Sequence, residues 1–131
     1  MRHKLLICAL ALVGGCAPKL GDECASAFEC SANNTRFCDR TQPGGYCTIA
    51  DCEPEGCGGE GWCVRFNPQE PRLSRDWCMA KCSDNSDCDR NSYVCRSADD
   101  LNRVVDGGVS GQVRAEVLDD KKDAKFCVVR E

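Results

Sequence analysis

Twelve of the fourteen cysteines in this 131-residue chain fall into three successive quartets, and any fold the chain adopts has to accommodate them. Each quartet is a close triplet followed by a fourth cysteine with an aromatic residue just before it. The triplets are Cys24/Cys30/Cys38, Cys52/Cys57/Cys63 and Cys82/Cys88/Cys95, and the closing pairs are Tyr46-Cys47, Trp77-Cys78 and Phe126-Cys127. The first and third triplets read C-x5-C-x7-C and C-x5-C-x6-C, with Glu29 and Asp87 each preceding the middle cysteine. The junctions repeat too: Tyr46-Cys47-Thr48-Ile49-Ala50-Asp51-Cys52 matches Trp77-Cys78-Met79-Ala80-Lys81-Cys82 apart from one inserted residue. Triplets, aromatic-Cys pairs and junctions recurring together mark a repeat.

Twelve freely combining cysteines allow roughly 10,400 pairings, whereas closure within each quartet leaves only three choices per quartet. The working hypothesis is closure within quartets, first cysteine to third and second to fourth.

The amino terminus is read separately. Arg2 and Lys4 make a basic start, and Leu5 to Val13 are uninterrupted apolar residues, the pattern of a secretory signal. Such a run rises only about 13 Å as a helix, too short to cross a bilayer. A cut after Ala9-Leu10-Ala11 leaves too short an apolar core. Leu12-Val13-Gly14-Gly15-Cys16 instead resembles the lipobox of bacterial lipoproteins, which implies cleavage before Cys16 and diacylglycerol on its sulfur. Losing Cys8 with the signal and lipidating Cys16 leaves an even number of cysteines to pair. Acyl chains at about 0.8 kcal/mol per buried methylene hold such a protein stably to a membrane. Ala17, where an Asp favours retention at the inner membrane, implies an outer-membrane location by the same resemblance, facing either the periplasm or the outside.

The expected exported part has 116 residues, with 15 Lys and Arg against 21 Asp and Glu, a net charge of −6. Nucleic acid is disfavoured as a partner, and so are anionic headgroups. Leu, Ile, Val and Phe number only 18 of these 116 residues, below the roughly 20% at which charged chains usually fail to fold. Disulfides are the replacement in sufficient supply: at about 2 to 4 kcal/mol each, six bridges reach the order of 10 kcal/mol even after discounting overlap.

The predicted fold is therefore small and disulfide-rich, mostly irregular loops with short β-hairpins, and little helix outside the signal. Its expected divisions are the signal (1–15), the lipidated Cys16 and tether (16–23), and quartet units over 24–51, 52–81 and 82–131. Asn67-Pro68-Gln69-Glu70-Pro71 predicts an exposed, extended loop over 64–76. Val113, Ala115 and Val117 alternate with Arg114 and Glu116 as in a half-buried strand. Asp119 to Lys122 would turn the chain and Lys125 to Val129 return as a partner strand, closing a C-terminal hairpin, while Asp106-Gly107-Gly108 gives a further turn. The C-x4-[DE]-C-x6-C triplets and aromatic-Cys pairs resemble those of the cysteine-rich lipoproteins of myxobacteria, a resemblance over residues 16–131 that implies no activity. The long interval from Cys95 to Cys127 departs from that pattern.

Catalytic chemistry finds few residues to use. His3, the only histidine, lies in the signal, which removes histidine triads and histidine metal sites. No C-x-x-C redox pair occurs, and oxidised cysteines cannot ligate zinc. Asp84, Asp87, Asp89 and Asn91 offer oxygens for calcium, but Ser92 and Ala98 stand where an EF-hand needs Gly and Glu, so a turn is the plainer reading and no metal is assigned. Glu53, Glu55 and Glu60 read as a solvated loop rather than a glycosidase pair. Asn33-Asn34-Thr35 fits a glycosylation sequon of the kind common by chance. Trp62, Trp77, Tyr46 and Tyr93 either pack against bridges or form a recognition surface. No cofactor is expected. The chain is expected to be a non-enzymatic, envelope-anchored structural or interaction module, reaching the membrane through Cys16 and meeting a protein or glycan ligand. The alternative is a small exported enzyme or protease inhibitor using loop 64–76.

Overall fold

Three short antiparallel strand pairs, one per quartet, bring the third and fourth cysteines of each quartet face to face. The computed structural model describes residues 17–103, 112–121 and 123–130. The expected signal, Cys16 and the Asp106-Gly107-Gly108 turn lie outside these. In chain order the strands are β1 (Phe37–Cys38), β2 (Cys47–Thr48), β3 (Gly61–Phe66), β4 (Arg75–Ala80), β5 (Tyr93–Ser97), β6 (Ala115–Val117) and β7 (Lys125–Val129). Helix among the described residues is limited to α1 (Ala27–Cys30), α2 (Ala98–Arg103) and two 3-10 turns. Cys38 opposes Cys47 across β1–β2, Cys63 opposes Cys78 across β3–β4, and Cys95 opposes Cys127 across β5–β7.

Opposed residues of an antiparallel pair project from the same face, so both sulfurs of each pair meet the first and second cysteines there. The bridges are Cys24–Cys38 and Cys30–Cys47, Cys52–Cys63 and Cys57–Cys78, Cys82–Cys95 and Cys88–Cys127, first to third and second to fourth in every quartet. All three first-to-third bridges hold their Cα atoms 5.9 Å apart. The repeat is thus one of backbone geometry as well as spacing.

The acidic residue before the middle cysteine also has a structural use. The Glu29 carboxylate accepts the Ala25 N–H at 2.9 Å, and that of Asp87 accepts the Ser83 N–H at 2.6 Å. In both quartets, then, the residue before the second cysteine captures the amide just after the first, closing the turn that carries both sulfurs inward. Asp84 completes a capping box with Asp87. Ser97 and Asp100 exchange backbone and side-chain bonds in the same manner at the start of α2.

Strand residues alternate between faces, so the aromatic residue preceding each fourth cysteine points away from the sulfurs. Tyr46 and Phe126 thereby enter a shared core with Val64, Tyr93, Val94 and Ala115. Tyr46 ties the quartets together: its hydroxyl accepts the Ala80 N–H at 2.9 Å and donates to the Cys127 carbonyl at 3.1 Å. Burial holds that phenol far above its usual pKa. Arg90 of the third quartet donates to the Gly45 carbonyl at 2.6 Å and to that of Pro43, and lies over the Tyr93 ring at 4.3 Å.

Three expectations are corrected or extended. The C-terminal hairpin does not form: β6 pairs with β3 and β7 with β5, giving sheets ordered β4-β3-β6 and β5-β7. The unit expected over 82–131 therefore lends its extra strand to the second quartet. Cys127 is held opposite Cys95 and bridged to Cys88, while the Leu118 N–H donates to the Cys63 carbonyl at 2.9 Å. Asn102, at the end of α2, fixes the other flank of β6 by accepting the Arg114 and Ala115 N–H groups. Secondly, Asp119 bends the chain as expected and is also a buried link, accepting the Cys63 N–H at 2.7 Å and also that of Glu55. Thirdly, residues 64–76 are not an extended loop: β3 runs on to Phe66 and β4 starts at Arg75, leaving 67–74 as successive turns closed by Glu70 N–H to Asn67 and Leu73 N–H to Glu70.

Candidate functional site

The second quartet breaks the repeat's burial rule. Trp77, the counterpart of Tyr46 and Phe126, is only half-buried and lines a cavity of about 460 Å³ with Phe66, Leu73, Met79, Leu101 and Val129. Pairing explains the placement. Cys78 turns to the sulfur face beside Cys63, so Trp77 and Met79 turn to the other, opposite Val64 and Trp62. There Trp77 meets the outer part of the core, where Leu101 and Val129 from the third quartet form the far wall.

The rim combines apolar exposure with charge. Phe37 is 50% exposed and stands 6.1 Å from the Trp77 ring, and Leu73 is 60% exposed. The Arg75 guanidinium lies 5.3 Å from the Trp77 ring centre. Asp39 also lines the groove, its carboxylate accepting the Thr41 hydroxyl at 2.6 Å. On the other face of the hairpin, Arg65 grips Asp76 with two bonds of 2.8 Å. Those bonds hold the Asp76 carboxyl below the usual carboxylate range and raise Arg65.

The four aromatic residues considered from sequence divide between the two roles. Tyr46 and Tyr93 are buried and stack 5.5 Å apart. Trp62 is half-buried, with the Lys81 and Lys121 ammonium groups 3.8 and 5.5 Å from its ring centre. It lines a separate concavity with Lys125.

Carboxylates singled out from sequence are largely engaged in local structure. Asp84 accepts the Ser86 N–H at 2.8 Å and its hydroxyl, which lowers the Asp84 pKa, and Asp87 caps backbone. Glu60 pairs with Arg36 at 2.9 Å, whereas Glu55 accepts the Asp120 N–H, so Glu53, Glu55 and Glu60 do not act as one constellation. Asn33 is exposed and its amide oxygen accepts the Thr35 hydroxyl at 2.8 Å. Among the described residues, the convergent groups of three or more cysteine, histidine or acidic donors are all cysteines, one set per quartet. Their sulfurs are joined in bridges, which leaves no thiolate to hold a metal.

Sequence reading missed Phe37, Leu73, Leu101 and Asn102. Phe37 and Leu73 carried a faint signal as large apolar residues flanked by polar ones; Leu101 reaches the groove from α2, and Asn102 acts outside it by holding β6. Comparison with protein-family models, curated proteins and solved structures finds no match.

Proposed function

We propose that this chain is an exported, lipid-anchored, non-enzymatic interaction module of the bacterial envelope whose working surface is the Trp77 groove. The observation that carries the reading is that two of the three exposed large apolar side chains among the described residues, Phe37 and Leu73, gather beside the one repeat aromatic outside the core, whereas Phe28 is exposed singly on α1. A chain this poor in aliphatic residues gains from burying any it has, so leaving several together at the surface points to a partner. Bridges on every wall of the fold reduce the ordering cost of binding. Apolar walls, an arginine over the Trp77 ring and a lining carboxylate suit an extended protein segment with alternating apolar and charged side chains. Six disulfides suit an oxidising compartment, in line with the lipobox and signal. A protease-directed use of residues 64–76 has less support, because paired strands and turns replace the extended segment it needs.

The test is capture of a partner from envelope extract by the oxidised chain. Trp77→Ala and Leu73→Ala should abolish capture while leaving the folded spectrum intact; undiminished capture by both variants would place the working surface elsewhere. Mass measurement of the amino-terminal peptide should show diacylglycerol on Cys16.

A further inference from the structure

The short reach between Cys16 and the fold, and the position of every described lysine, point to how the molecule sits on its membrane. The backbone is fastened from Pro18 onward. The Pro18 carbonyl accepts from Arg36 at 2.6 Å, the Lys19 N–H donates to Asp22 at 2.6 Å, and the Leu20 N–H donates to Glu60 at 3.2 Å. Leu20 itself is buried among Cys52, Cys57, Cys63 and Cys78, and the Gly21 N–H reaches the Cys47 carbonyl at 2.9 Å. Consecutive Cα atoms are 3.8 Å apart, so covalent geometry alone keeps Cys16 within about 8 Å of Pro18. A lipid on that sulfur has no linker that would let the fold stand off or turn freely.

The surface beside this exit is where the lysines gather. Apart from Lys4 in the signal and Lys122 outside the described residues, the chain's lysines are Lys19, Lys81, Lys121 and Lys125. All four line two adjoining concavities of about 600 and 440 Å³ that share Lys81 and Asp87. The chain's other basic residues are arginines. Trp62 lies among the lysines, its indole flanked by two ammonium groups. Indole rings favour the headgroup level of a bilayer, and lysine stems lie along apolar surface while their ammonium groups reach phosphate. Asp22, Glu23, Glu60, Asp87, Asp89 and Asp123 share the face, so it is mixed rather than purely basic. A mixed face complements zwitterionic headgroups, which offer both phosphate and ammonium, and so survives the net charge of −6 that disfavours a purely anionic surface.

Resting on the lipid anchor proposed above, we propose that the face formed by Lys19, Trp62, Lys81, Lys121 and Lys125 is seated on phospholipid headgroups. β3 starts at this face with Gly61 and runs to Phe66 at the groove, a span of about 17 Å. Seating the lysine face therefore turns the Leu73 end of the groove away from the bilayer, toward a partner.

The test compares the lipidated protein in zwitterionic phosphatidylethanolamine–phosphatidylcholine vesicles with the same chain lacking Cys16 and its lipid, using a membrane-impermeant amine reagent and peptide mass analysis. Lys19, Lys81, Lys121 and Lys125 should react several-fold more slowly in the vesicle-bound form. Brominated lipid should quench Trp62 in Trp77→Phe more than it quenches Trp77 in Trp62→Phe. Equal labelling of both forms, with diacylglycerol confirmed on Cys16, overturns the seating and leaves the anchor standing; an unmodified Cys16 overturns both. Lysine protection by an acidic polysaccharide with none by vesicles would assign the face to a glycan and contradict the proposal.

Discussion

Quartets one and three bury the aromatic residue before the closing cysteine, and quartet two does not. Tyr46 is 2% exposed and Phe126 fully buried, whereas Trp77 reaches the surface at the groove. The same local rule, opposed cysteines sending the preceding side chain to the far face, operates in all three. What differs is the covering. Tyr46 and Phe126 meet one another's strands in the shared core, while Trp77 meets only the edge of it. A repeat that builds rigid hairpins cheaply thus leaves one hairpin free to carry a surface.

The comparison is broken most forcefully at its buried members. Phe126→Ala should cost about 3 to 5 kcal/mol in chemical unfolding, because the emptied site lies at the centre of the core. Trp77→Ala should cost about 1 kcal/mol while removing partner binding. Equal losses would mean that Trp77 is core after all. Tyr46→Phe keeps the ring but strips a partner from the Ala80 N–H and the Cys127 carbonyl, and a loss of about 2 kcal/mol is expected by denaturant titration.

Next in size are the turn carboxylates. Glu29→Ala and Asp87→Ala each remove the bond to the amide after the first cysteine, and each should lower stability by about 1 kcal/mol. Matching losses would support equivalence of the two quartets; a loss in only one would restrict the turn rule to that quartet. The second quartet has Gly56 at this position and no such bond to lose.

The smallest effect is acid-dependent. Asp76 has its pKa lowered by the Arg65 bonds, so the pair's contribution is full above the unfolded carboxyl value near 4 and is lost as pH falls through the lower folded value. Asp76→Asn should remove that acid-side slope, with a change below about 1 kcal/mol for a pair this near the surface. Stability curves of both proteins between neutral pH and the acid limit would show it.

Much of the scaffold was legible because disulfide closure and strand alternation are local rules. Cysteine spacing led to the quartets and to the choice of first-to-third bridging, and low aliphatic content to a fold dependent on sulfur. The alternation at Val113 to Val117 correctly marked a strand but not its partner: pairing was settled by distant groups, Asp119 on the Cys63 amide and Asn102 on Ala115, which no local pattern contains. Prolines 68 and 71 suggest an extended loop, yet the segment folds into turns and the strands around it run further than the prolines suggest, because Arg65–Asp76 and Phe66–Arg75 continue the ladder. The groove was hidden for the same reason as the pairing, since its walls come from all three quartets.

Non-reducing digestion followed by mass assignment of the linked peptides tests the central claim most directly. Six pairs are expected, Cys24–Cys38, Cys30–Cys47, Cys52–Cys63, Cys57–Cys78, Cys82–Cys95 and Cys88–Cys127. A bridge joining two quartets, such as Cys47 to Cys52, would contradict the account.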